Sequence, residues 1–218
     1  MKSVKIRNSN KVYTVGKIIC LGRNYAEHIK ELGNEPSELP VIFLKPASAM
    51  VFSNDKIQIP AYSENMHHEI ELVLLMGKTV KNADPLSAEE AIAAYGVGLD
   101  MTLRDLQNRL KSKGHPWTTA KCFDTSALVA DFVSKDDYQY NPDEWITLKV
   151  NGVDKQKDQL NKMIYPPVKI VEYISEYMTI EEGDLIFTGT PSGVSKVVKG
   201  DQLHGEITNI ASLETEIV

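Results

Sequence analysis

The segment Glu69-Ile70-Glu71 heads an unbroken apolar run, Leu72 to Met76. A short continuous apolar run reads as a buried strand. Residues i and i+2 of a strand project to one face, so Glu69 and Glu71 point together, away from Ile70 and Leu72. Two adjacent carboxylates are costly to bury unless something positive compensates them. Either the pair lies on the solvent face of an edge strand, or it faces a cation.

Alternation, caps and turn residues place the other elements. "VKIRNSNKVYTV" reads as a hairpin around Asn8-Ser9-Asn10. "KIICLG" is a buried strand, "NYAEHIKELG" a short helix closed by Gly33, and Asn34 to Pro40 a mobile loop. "VIFLKP" and "KIQIP" read as strands stopped by proline. "SAEEAIAAYG" reads as a helix with a Ser87/Glu90 capping box. "VGLDM" is strand-like, and "TLRDLQNRLKSKG" is a helix that Thr102 caps and Gly114 ends. Asn151-Gly152 joins "ITLKV" to "DKQKDQL" as a hairpin. "PPVKIVEYISEYM" is a helix with prolines at its start. "DLIFTGTPSGV" is a strand entering a Gly-rich turn, and "DQLHGEI" and "SLETEIV" are the last strands. Strands outnumber helices and do not alternate regularly with them, which predicts a sheet-rich α+β fold. No linker or repeat divides the 218 residues, so a single domain, 1–218, is expected.

The formal charge is −6, and no basic block or Arg-rich stripe occurs, so nucleic acid is not an expected partner. No run of membrane-spanning length is present, and the first residues lack the apolar core of a signal peptide. The two cysteines, Cys20 and Cys122, suit a reducing compartment, and a cytoplasmic location is expected. Cys122 is read as a buried structural thiol rather than a nucleophile.

Asp100, ending a strand-like segment, is a third candidate ligand beside Glu69 and Glu71. Three carboxylates without cysteine form a hard oxygen site, which favours Mg2+, Mn2+ or Ca2+ over zinc. His67 and His68 are neighbours on a strand, face apart, and neither needs to be a ligand. Arg104 and Gln107, at i,i+3, share a helix face, as do His28 and Glu31. A carboxylate that holds an imidazole fixes its tautomer and supports the imidazolium formed when it takes a proton.

The motifs "GRNYAEH", "FLKP", "HHEIEL", "GLDMTLRDLQ", "PWTTAKCFDT" and "GDLIFTGTPSGV", in this order, resemble the fumarylacetoacetate hydrolase family, in its short acylpyruvase-like branch. The resemblance implies a layered β-roll, a homodimer, and Mg2+ or Mn2+ held by Glu69, Glu71 and Asp100. It implies a metal that binds the carboxylate and adjacent keto oxygen of a small keto-acid substrate. It assigns His28 and Glu31 to water activation, with the loop after them as a lid. Lys121 and Gln107 match positions that contact substrate or developing charge, and Arg104 lies with Gln107. Arg23 is suited to pair with a substrate carboxylate, and Thr190, in the Gly-rich turn, to bind it as well. The expected reaction is hydrolysis of an acylpyruvate to pyruvate and a carboxylic acid, because a water-activating pair has no use in decarboxylation. Oxaloacetate decarboxylation or keto–enol tautomerisation is the alternative, followed by a 2-hydroxyhepta-2,4-diene-1,7-dioate isomerase-like reaction. A non-catalytic, metal-stabilised binding protein is the reading from another class.

Overall fold

The computed structural model describes residues 2–33 and 40–218, so the expected loop lies outside them apart from Pro40. Five short helices occur among the described residues: α1 (Ala26–Glu31), α2 (Pro85–Ala91), α3 (Arg104–Ser112), α4 (Thr118–Lys121) and α5 (Pro167–Tyr177). The remaining regular structure is almost all strand, as expected for a sheet-rich α+β chain.

The larger sheet has the order Val41–Pro46, Lys17–Gly22, Leu185–Phe187, Ile70–Met76, Ile92–Asp100, Ala127–Val129, Met50–Phe52, with Val133–Ser134 paired outside this path to Ile92–Asp100. A second sheet has the order Val153–Gln159, Trp145–Val150, Gln202–Ile207, Ala211–Glu216. One face of the larger sheet, with Ile70, Leu72, Val97 and Leu99, packs in one core with Ile146, Leu148, Leu203 and Leu213 of the second sheet. That core also takes Ala88 and Ala91 of α2 and Ile170, Val171 and Ile174 of α5. The opposite face, with Val73, Leu75 and Phe187, is covered by Val4, Tyr13 and Val15 of the N-terminal hairpin. Each aliphatic side chain fully buried in this way contributes ~1.5–3 kcal/mol.

The strand Ile70–Met76 is therefore interior: it pairs antiparallel with Leu185–Phe187 on one side and Ile92–Asp100 on the other, and all of it is buried. Its glutamates do not lie on the solvent face of an edge strand. Both hairpins form as read. Asn151 and Gly152 take φ of 52° and 78°, the left-handed conformation that a tight two-residue turn requires.

Five local readings are corrected. The cap of α2 is Asp84, which accepts from the Ser87 N–H at 2.7 Å, and Pro85 follows it in the first turn. That helix stops at Ala91, because Ile92–Asp100 is recruited into the sheet between two partner strands. Thr102 is no cap: it forms a short strand with Leu103, and α3 begins at Arg104 without a side-chain cap. "KIQIP" makes only an isolated bridge from Ile57 to Ile217. Cys122 is half-buried rather than buried, and its thiol donates to the Leu44 carbonyl at 3.0 Å.

Candidate active site and metal centre

Four strands of the larger sheet bring their ends to one place. Lys17–Gly22 and Leu185–Phe187 run parallel and finish there; Ile70–Met76 starts there, and its neighbour Ile92–Asp100 finishes there. The chain leaving Lys17–Gly22 carries Arg23 and, on α1, His28 and Glu31. Glu69 and Glu71 stand at the start of Ile70–Met76, Asp100 ends Ile92–Asp100, and Thr190 follows Leu185–Phe187. Residues far apart in sequence meet because strand ends in a sheet share an edge.

Glu69, Glu71 and Asp100 each present a carboxylate oxygen within 4.8 Å of the others, and none is more than 4% exposed. The Lys121 ammonium donates to Glu69 at 2.8 Å, to Asp100 at 2.6 Å and to the Thr102 hydroxyl at 2.6 Å. The Arg104 guanidinium pairs with the other oxygen of Glu69 and donates to Gln107. Lys45 is fully buried, 2.8 Å from the second Asp100 oxygen, and donates to the carbonyls of Met101, Lys121 and Ser126.

These contacts split the carboxylates electrostatically. Burial alone would raise Glu69, but Lys121 and Arg104 outweigh it and hold that carboxyl well below the usual range. Burial also pulls Lys121 down, and Asp100 and Glu69 more than restore it, so it stays charged. Glu71 goes the other way: burial raises it, Asp100 and Glu69 add to the rise, and the Gly189 N–H at 2.6 Å only partly offsets them. Gly189 has φ 98°, and a Cβ there would meet the Asn24 Cβ at 2.7 Å. Only glycine brings that N–H to the carboxylate.

All-oxygen donors, buried and close together, with one carboxyl that has no cationic partner among the described residues, fit a hard divalent cation. The site is capable of holding Mg2+ or Mn2+. The raised Glu71 carboxyl favours its protonated form in the metal-free protein, and a cation competes with that proton. Mn2+ binding is therefore expected to release a proton from Glu71 on the acid side of its raised range, with affinity that rises with pH there. Calorimetry in buffers of different ionisation enthalpy reads the proton. Glu71→Gln is expected to remove both the proton release and most of the affinity, and a pH-independent affinity in wild-type protein would refute this account.

A cavity of about 290 Å3 opens on the carboxylates and is lined by Arg23, His28, Glu31, Gln107, Lys121 and Thr190 among others. The volume is at the low end for ligand pockets (~300 Å3) and suits a small acid rather than a nucleotide. His28 Nδ1 lies 3.0 Å from one Glu31 oxygen, and the other Glu31 oxygen accepts the Gly193 N–H at 2.9 Å. The carboxylate thus orients the imidazole and ties α1 to the Gly-rich turn. Arg23 holds a φ of 66°, costly for a residue with a Cβ. Every residue singled out from the sequence reaches this cavity or its wall.

The sequence reading missed Lys45, Gln156 and the cavity wall formed by Phe43, His67 and Trp117. A lysine inside the apolar strand "VIFLKP" was the one available signal for Lys45. Burial, with Arg104 adding to it, lowers His67 to about 4, so it lines the cavity as a neutral ring.

Residues 17–218 match the family model described as fumarylacetoacetate (FAA) hydrolase, C-terminal. The mitochondrial oxaloacetate tautomerase of Bos taurus is 40% identical over 200 residues, covering 92% of this chain and 90% of that protein. The oxaloacetate tautomerase YcgM of Escherichia coli K12 is 40% identical over 192 residues, 88% of each chain. Among solved structures, the fumarylpyruvate hydrolase of Pseudomonas aeruginosa, in complex with Mn2+ and pyruvate, superposes with a TM-score of 0.96 at 36% identity, covering 100% of this chain and 95% of that one.

Proposed function

This chain belongs to the fumarylacetoacetate hydrolase family, and from that premise we propose that it is a Mg2+- or Mn2+-dependent hydrolase that cleaves acylpyruvates to pyruvate and a carboxylic acid. The observation that carries the reading is the His28–Glu31 pair, set against the same small cavity as the three carboxylates. With Nδ1 turned to Glu31, the Nε2 nitrogen is left as the base.

Charge supports a keto acid as substrate. Three carboxylates face the cations Lys45, Lys121 and Arg104. A divalent ion therefore leaves two positive charges in excess, which the carboxylate and enolate oxygens of a pyruvate unit would balance. Glu69, Glu71 and Asp100 would hold the ion, which supplies Lewis acidity for charge developing on the 2-oxo group. His28 Nε2 takes a proton from water, and the hydroxide adds to the distal carbonyl carbon. The bond from that carbon to the methylene breaks, and its electron pair enters the pyruvate enolate. The imidazolium, supported by Glu31, returns the proton to carbon. Lys121 and Arg104 keep Glu69 ionised throughout, while Arg23 and Thr190 hold the substrate carboxylate.

The names of the relatives favour a second reading, oxaloacetate tautomerisation. It needs the same polarised keto acid and one residue that moves a proton to and from carbon, without attack by water. One experiment separates the two. The protein is stripped with EDTA and restored with Mg2+, then given acetylpyruvate or oxaloacetate in parallel. Magnesium-dependent pyruvate release from acetylpyruvate supports the hydrolase. Oxaloacetate enol–keto conversion without pyruvate release from acetylpyruvate moves the assignment to the tautomerase, and CO2 release moves it to a decarboxylase. A homodimer, proposed from the family alone, is read by light scattering on the same preparation.

A further inference from the structure

Gln156 lies in the second sheet, on the strand Val153–Gln159, yet its side chain is fully buried against the site. Its amide has one orientation. The Ile70 backbone N–H can only donate and meets Oε1 at 3.2 Å; the Pro191 carbonyl can only accept and receives from Nε2 at 2.8 Å. Two further contacts inherit that direction. Nε2 also donates to the Thr190 hydroxyl at 2.8 Å, so the Thr190 oxygen is an acceptor there. On the other side Oε1 faces His68 Nδ1 at 2.8 Å, which places a proton on Nδ1. His68 Nε2 is then bare and accepts from the Ser195 hydroxyl at 2.9 Å. His68 is completely buried, and its two ring contacts fix its tautomer.

The consequence falls on Thr190. Its oxygen is engaged by Gln156, and no described residue offers an acceptor for its proton. Thr190 lines the cavity. We propose that Gln156 is a positioning residue that fixes the Thr190 hydroxyl as a donor into the cavity, selecting an anionic oxygen of the substrate, through a one-way hydrogen-bond chain running Ser195, His68, Gln156, Thr190. This rests on the keto-acid reading of the site and adds the residues that make its carboxylate end a donor surface.

The test is calorimetric titration of pyruvate into Mn2+-loaded protein. Gln156→Glu has the same shape and, once ionised, only accepts, so at a pH where it is ionised Thr190 must donate to it and turn its proton from the cavity. Gln156→Glu and Thr190→Val are each expected to weaken pyruvate ~10–100-fold, the range for a hydrogen bond to a charged group. Thr190→Val leaves Mn2+ affinity unchanged. The double variant is expected to be no weaker than either single one, because both remove the same bond. Thr190→Ser, which keeps the hydroxyl, retains affinity within ~3-fold of wild type. Wild-type affinity in Thr190→Val, or additive losses in the double variant, would overturn the chain and leave the keto-acid reading standing. Wild-type protein that binds Mn2+ but not pyruvate would overturn the keto-acid reading and this proposal with it. If Gln156→Glu does not fold, the Thr190 pair and the nitrogen NMR signals of His68 carry the test. A proton found on His68 Nε2 rather than Nδ1 overturns the chain without any variant.

Discussion

Alanine at His28 is expected to lower pyruvate release from acetylpyruvate by ~10²–10⁴-fold, the range for a positioned general base. Mn2+ affinity should change little, because the carboxylates of Glu69, Glu71 and Asp100 offer the ligand oxygens. Glu31→Gln should cost nearly as much. A glutamine can turn its NH2 to His28 Nδ1, which moves the ring proton to Nε2 and removes the base. It would also neutralise the charge that supports the imidazolium. Stopped-flow or coupled assays for hydrolysis, with Mn2+ titrations on the same samples, check both. Undiminished hydrolysis by His28→Ala would sink the assignment. A matching collapse of Mn2+ binding would instead make His28 part of the metal centre. Oxaloacetate sharpens the result: tautomerisation that survives His28→Ala confines this residue to water activation.

Replacement of Lys45 by methionine should destabilise the metal-free protein by ~3–5 kcal/mol, the cost of breaking a buried ion pair by removing one partner. Lys45 is 0% exposed and neutralises one oxygen of Asp100 while satisfying three backbone carbonyls, among them that of Lys121. Methionine fills similar volume, so the loss is electrostatic rather than a cavity. For a chain of this size the melting temperature should fall ~6–20 °C. Mn2+ should recover part of the fall, since a bound cation again compensates Asp100 and binding stabilises the folded state by mass action. Thermal melts with and without MnCl2 read both effects. A fall of less than ~3 °C would show that Asp100 finds other compensation.

The site was legible where its logic is local. The i,i+2 geometry of Glu69 and Glu71 and the i,i+3 pairing of His28 with Glu31 and of Arg104 with Gln107 follow from one repeat of backbone structure. Each pair converges as expected. The Asn151-Gly152 hairpin is equally local. Errors gather where distant partners decide. The Ala-rich "AIAAYG" favours a helix, but Ile92–Asp100 gains three strand partners and closes around Gly96 and Gly98, where a Cβ would strike Phe132 or Phe187 at less than 3 Å.

The residues that escaped notice share one trait. Gln156 sits among exposed polar residues of "VDKQKDQ" and looks like them; its partners His68 and Thr190 are 88 and 34 residues away. Lys45 looks like the end of a strand; its carbonyl partners are 56 to 81 residues away. The sequence by itself determined the chemical inventory: the three carboxylates, the imidazole–carboxylate pair, the class of fold and the order of its motifs. Only the tertiary structure decided which carboxyl is held low, which is pushed up and which side chain engages Thr190. Those properties depend on burial and on charges within a few ångströms, and the packing of helices and sheets around the strand ends sets those distances.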